Sequence, residues 1–78
     1  MPEVFREGPY RFFFYSNEND EPPHVHVRTE NRFAKFWLDP IKLEYSHKMR
    51  PFEIREARST IEKRRIEIIT AWNAFFGA

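Results

Sequence analysis

Two periodicities divide this chain, and they limit its fold more than any other feature. Between residues 24 and 45 apolar side chains recur largely at every second position; after Pro51 they recur mostly at every third or fourth. A period of two builds strands and a period near 3.6 builds helix. The chain therefore reads as α+β: an antiparallel, three- to four-stranded meander, then a long C-terminal helix packed on one face. Seventy-eight residues hold a single domain, 1–78.

Residues 1–9 read as a lead-in closed by Gly8-Pro9. Residues 10–16 are aromatic enough for a strand, with Phe12 and Phe14 on one face and Phe13 and Tyr15 on the other. Residues 17–23 are loop by composition, ending in Pro22-Pro23. In the next strand Val25 and Val27 face one way, while His24, His26 and Arg28 face the other. A turn over residues 30–32 leads to a strand with Ala34, Phe36 and Leu38 on its apolar face and Phe33, Lys35 and Trp37 on its mixed face. Asp39-Pro40 is a second turn, after which Ile41, Leu43 and Tyr45 alternate with Lys42 and Glu44.

Pro51 suits the first turn of a helix and Gly77 its stop. The expected docking sets Ile54, Ile61, Ile68 and Trp72 against Val25, Val27, Phe36, Leu38, Ile41 and Leu43. One helix of about 25 residues is the first reading, and a break near Ser59-Thr60 or at Arg64-Arg65 is the alternative. Those arginines, beside Glu62, Lys63 and Glu67, read as a solvated face.

Composition excludes several classes of function. There is no cysteine, so disulfides and thiolate metal sites are ruled out, and a reducing cytoplasmic location is expected. Thirteen basic and twelve acidic residues leave a formal net charge of +1, too little field for nonspecific nucleic-acid binding. The first ten residues carry Glu3, Arg6 and Glu7 and no apolar run, so no signal peptide is expected. The longest apolar run, Phe12-Phe13-Phe14-Tyr15, is far too short to span a membrane.

If the valines meet the helix, the opposite sheet face presents His24 and His26 with Arg28, Phe33, Lys35 and Trp37. Such a face has three chemical readings. Its aromatic rings and cations can hold single-stranded RNA. His24 and His26, with Cα atoms about 6.6–6.8 Å apart along the strand, can act as an acid–base pair on a phosphodiester, with Arg28 or Lys35 stabilising charge. Trp37 and Phe33 can anchor a protein partner or a homodimer. Beside these stands a purely structural reading, in which both histidines bond a loop carboxylate such as Asp20 or Glu21 and pin the loop to the sheet. A metal would need a third ligand, and the hairpin carries Glu30 away from the pair. No metal site and no cofactor are expected.

The segments Phe12-Phe13-Phe14-Tyr15, Glu21-Pro22-Pro23-His24-Val25-His26-Val27, Ala34-Lys35-Phe36-Trp37-Leu38-Asp39-Pro40, Trp72-Asn73 and Phe76-Gly77 together resemble the prokaryotic "domain of unknown function" family numbered 4160. The resemblance covers the chain from about Tyr10 to Gly77. It implies a small protein encoded beside another small domain of unknown function (numbered 2442), in a toxin–antitoxin-like pair, and at most action on RNA. It implies no catalytic residues, and the residues alone do not decide whether the protein is an enzyme. The expected function is a protein-interaction module in a two-gene system, with an RNA-binding or RNA-cleaving toxin and a small metal-binding domain as alternatives.

Overall fold

A computed structural model describes residues 3–18 and 20–77. Met1, Pro2, Asn19 and Ala78, which fall in the expected lead-in, loop and single domain, lie outside the described residues. The sheet is an antiparallel meander in sequential order: β1 (Glu3–Glu7), β2 (Tyr10–Phe13), β3 (His24–Thr29), β4 (Arg32–Leu38) and β5 (Ile41–His47). Two helices follow, α1 (Pro51–Lys63) and α2 (Arg65–Phe76).

The sheet thus has five strands rather than three or four. The extra one is β1, expected as part of a lead-in; its two apolar residues, Val4 and Phe5, are adjacent rather than alternating. Gly8 takes φ of +58°, which suits the tight turn bringing Glu7 opposite Tyr10. A bulge between Glu3 and Phe5 lets the adjacent Val4 and Phe5 both pack against the core.

A second bulge lies in β5. Lys35 pairs with Tyr45 and Phe36 with Leu43, so Glu44 is the extra residue. Ile41 and Leu43 pack against the core as the alternation predicts. Past Glu44 the parity changes, and Tyr45 joins the face of Phe13, His26 and Lys35 instead.

The helices cover the other face. Val25, Val27, Phe36 and Leu38 are fully buried with Ile61, Ile68 and the nearly buried Trp72, and Ile41, Leu43 and Ile54 pack at the margin. This is the docking the sequence predicts. The single long helix is corrected: the chain breaks at Arg64, where φ is −113° and ψ 24°. Length explains the break. A straight helix over residues 51–76 would run about 39 Å at 1.5 Å per residue, longer than the molecule's greatest extent of 33 Å. A seven-residue strand spans only about 24 Å.

The two arginines at the break are not a solvated face. Arg64 donates to Glu7 at 3.0 Å and to Glu67 at 2.8 and 2.7 Å, and its guanidinium lies 3.4 Å from the Phe5 ring centroid. Arg65 donates to the Leu38 carbonyl at 2.8 Å and approaches Asp39 at 3.3 Å. One arginine therefore holds the break to edge strand β1, and the next holds it to the β4–β5 turn.

Glu53 ties the start of α1 to the sheet in the same way. Buried in the first turn, it accepts the Arg50 backbone N–H at 2.9 Å and two Arg32 hydrogen bonds at 3.2 and 2.8 Å. The Arg32 bonds, then the Arg50 N–H, hold its carboxyl below the ordinary 4.5. A carboxyl lowered in the fold stabilises fully above its unfolded pKa and loses that contribution as pH falls through the folded value. Glu53→Gln should therefore lower the melting midpoint at neutral pH and flatten its decline below about pH 5. Thermal melts of both proteins across that range check this; parallel curves would refute it.

Candidate functional site

The site forms where loop residues 15–18 and 20–23 lie over the face opposite the helices. Five contacts fix that loop. The Leu38 N–H donates to the Pro23 carbonyl at 3.1 Å, extending the β3–β4 ladder. His24 Nδ1 donates to the Pro22 carbonyl at 3.0 Å. Lys35 Nζ donates to Glu21 at 2.6 Å. Glu18 Oε1 stands 2.8 Å from His24 Nε2 and 2.7 Å from His26 Nε2.

The face is therefore not open where the histidines lie. His24 is fully buried and His26 is 4% exposed. Aromatic rings complete the enclosure. His26 stacks on Phe13 at 5.5 Å and meets Tyr15 edge-on at 4.6 Å. His24 has Trp37 at 5.6 Å on its own face, and Trp72 of α2 at 4.9 Å, reaching it at the end of β3. Lys35 is 7% exposed and lies 4.6 Å from the Trp37 ring, whose Nε1 donates to Glu44 at 2.8 Å.

Among the described residues, no buried side-chain polar atom lacks a partner. Burial raises the Glu18 carboxyl, but its close contacts with the His24 and His26 rings outweigh it, and the group sits below its ordinary range. Burial lowers His26, with the Glu18 bond opposing only in part. An ionised Glu18 thus accepts from a His26 that favours its neutral form. Burial alone would lower Lys35, but its bond to Glu21 more than compensates and raises it.

This geometry does not present an acid–base pair. Both Nε2 atoms converge on one carboxylate oxygen, His24 is fully buried, and the cavity that His26 lines holds only about 80 Å³. Of the other candidates, Lys35 and Trp37 are engaged by Glu21 and Glu44. Arg28 stays exposed, with Nε donating to the Glu30 carbonyl at 2.9 Å, and Phe33 is half-buried. Arg28 and Phe33, with Phe13, Tyr15, His26 and Tyr45, line a cavity of about 80 Å³. Sequence reasoning missed Glu18 and Tyr45. It sought the loop carboxylate next to the histidines, at Asp20 or Glu21, whereas the loop doubles back and delivers the one six residues before His24. The β5 bulge concealed Tyr45.

Replacing Glu18 by Ala strips both imidazoles of their shared polar partner. A buried polar group left unsatisfied costs about 1–3 kcal/mol, so Glu18→Ala should lower unfolding free energy by at least that amount in urea titrations. Asp20→Ala, at an exposed position, should change it by less than about 0.5 kcal/mol. Equal effects would show that the loop is not held through Glu18.

No helix of the described residues is long and apolar enough to cross a membrane. No curated protein and no solved structure matches the chain. Residues 10–73 match the family described as Domain of unknown function (DUF4160). That span holds the histidine strand, the Glu18 loop, the whole of β2 to β5 and most of both helices, and on it the chain belongs to this family.

Proposed function

We propose that this protein is a binding module rather than an enzyme, and that it docks a small protein partner through the uncovered part of the histidine face. One observation carries this reading. Once the loop has enclosed His24, His26 and Lys35, the remaining exposed surface of that face is an aromatic–cationic patch beside edge strand β5. Tyr15 and Tyr45 are 40% and 43% exposed there, next to Arg28 and Phe33. Residues 44–47 of β5 are exposed, and among the described residues only β4 pairs with that strand. An unpaired edge can accept a strand from another chain, with neighbouring pockets supplying specificity. Tyrosine and arginine are common interface anchors. The partner suited to the patch presents a small apolar side chain to the cavity and a carboxylate to Arg28.

The same patch supports RNA binding less well. Stacking on bases needs free ring faces, and several are already occupied. His47 stacks on Phe33 at 4.8 Å, His26 on Phe13, and the Lys35 ammonium sits over Trp37. The resemblance to proteins encoded in adjacent pairs supports a partner supplied by the neighbouring gene, in the cytoplasm, in a toxin–antitoxin-like arrangement.

The test is co-purification and calorimetry with the neighbouring gene product. Arg28→Glu and Tyr45→Ala should each weaken association about tenfold or more without shifting the melting midpoint. Undiminished affinity in both variants would remove the patch from the interface. Tight binding of single-stranded RNA, lost in the same variants, would transfer the patch to the RNA reading. RNA cleavage abolished by a double His24/His26 substitution would restore the enzyme reading. Self-association lost in the patch variants would make the partner a second copy of this chain.

A further inference from the structure

We propose that Glu18, His24 and His26 form a binding site for a divalent transition-metal ion of the zinc or cobalt class. One donor atom from each of the three lies within 4.8 Å of the other two. Two imidazole nitrogens and one carboxylate oxygen are a recurrent donor set for such ions.

Proximity alone would be a weak argument, since the same three groups can simply hydrogen-bond. The second observation lies outside the cluster. The Pro22 carbonyl, 3.0 Å from His24 Nδ1, can only accept, so Nδ1 carries a proton. A neutral ring with its proton on Nδ1 has a bare lone pair at Nε2. That lone pair points at Glu18 Oε1, another acceptor, 2.8 Å away. Two acceptors facing each other in a fully buried position need a cation between them. A second proton on His24 can serve, at the cost of burying an imidazolium. A metal ion serves through the same lone pairs. A histidine ligand characteristically donates its other ring N–H to a backbone carbonyl, and the Pro22 contact has that arrangement.

The geometry needs adjustment. Bonds of about 2.0–2.1 Å at tetrahedral angles set donor atoms about 3.3 Å apart, against 2.7 and 2.8 Å between Glu18 and the two rings. The carboxylate must therefore retreat by about half an ångström, which its place on a loop allows. The two Nε2 atoms, which lie within 4.8 Å of each other, must meet the same spacing of about 3.3 Å, through rotation of the rings. Magnesium and calcium prefer oxygen donors and should not compete. This site does not depend on the surface patch, and either proposal can fail without the other.

The test uses the full chain, stripped with chelator and titrated at neutral pH with Zn²⁺ by calorimetry and with Co²⁺ by visible absorption. Wild type should take up one equivalent of each, with Co²⁺ ligand-field bands of imidazole coordination, and excess Mg²⁺ should not displace them. Loss of a mere outer-sphere partner costs about 10–100-fold in affinity, so Glu18→Gln and His26→Gln should each cost at least about 100-fold. Glu18→Gln keeps a carbonyl acceptor for the rings, and circular dichroism verifies that it folds. His47→Gln, at an exposed histidine on β5, should bind as wild type does. No uptake by folded wild type at millimolar metal, unchanged affinity in Glu18→Gln, or loss of binding in His47→Gln would each overturn the assignment.

Discussion

One carboxylate oxygen facing two buried imidazoles organises this molecule. Glu18 Oε1 meets both Nε2 atoms, and through them it closes a loop whose residues 16–23 offer little apolar surface to bury. That loop turns an aromatic, polar sheet face into a second, smaller core. The helix-side core is largely apolar and held by non-directional burial. The histidine side is directional, because every polar group enclosed there must keep a named partner. The two solutions share a single sheet, and β3 holds the boundary between them: Val25 and Val27 on one side, His24 and His26 on the other.

Length sets the other constraint. A sheet of four- to seven-residue strands can cover only about half of a 26-residue helical segment. The chain resolves the mismatch by breaking at Arg64 and fastening both sides of the break, through Arg64 to Glu7 and through Arg65 to the Leu38 carbonyl. The redirected α2 then carries Trp72 to His24 and Phe14. The helix break and the histidine enclosure are thus one structural event, since the ring that seals the end of β3 arrives on the helix that the break re-aims.

Legibility in the sequence follows the range of the interactions involved. Strict alternation identified β3, the apolar face of β4, and the pairing of Phe12 with Phe14 and of Phe13 with Tyr15 on opposite faces, because those depend on nearest neighbours along one strand. β1 was hidden because its apolar pair, Val4 and Phe5, is adjacent rather than alternating, and only a bulge makes that compatible with a strand. Tyr45 went to the wrong face for the same reason, since one extra residue at Glu44 inverts everything after it. Arg64 and Arg65 looked like surface because charge pattern cannot show a carbonyl or a ring waiting across the sheet. Glu18 was the most costly miss. A structural bond from the histidines to a loop carboxylate was foreseen, but its owner depended on the path of the loop, which no periodicity encodes.

His26 connects what is enclosed with what is offered to solvent. Its Nε2 faces Glu18, its ring is stacked on Phe13, and it lines the cavity shared with Tyr15, Arg28, Phe33 and Tyr45. A ligand on the patch would press against residues that pack on that ring, and a cation at Nε2 would fix the ring from behind. Tyr15 stands at the start of the Glu18 loop and Tyr45 just past the bulge, so both exposed tyrosines are placed by irregular backbone, whereas the histidines are placed by regular strand. The enclosed histidines and the exposed tyrosines are thus set by different parts of the backbone. Proton transfer needs its groups both held and reachable, and these histidines are held but enclosed.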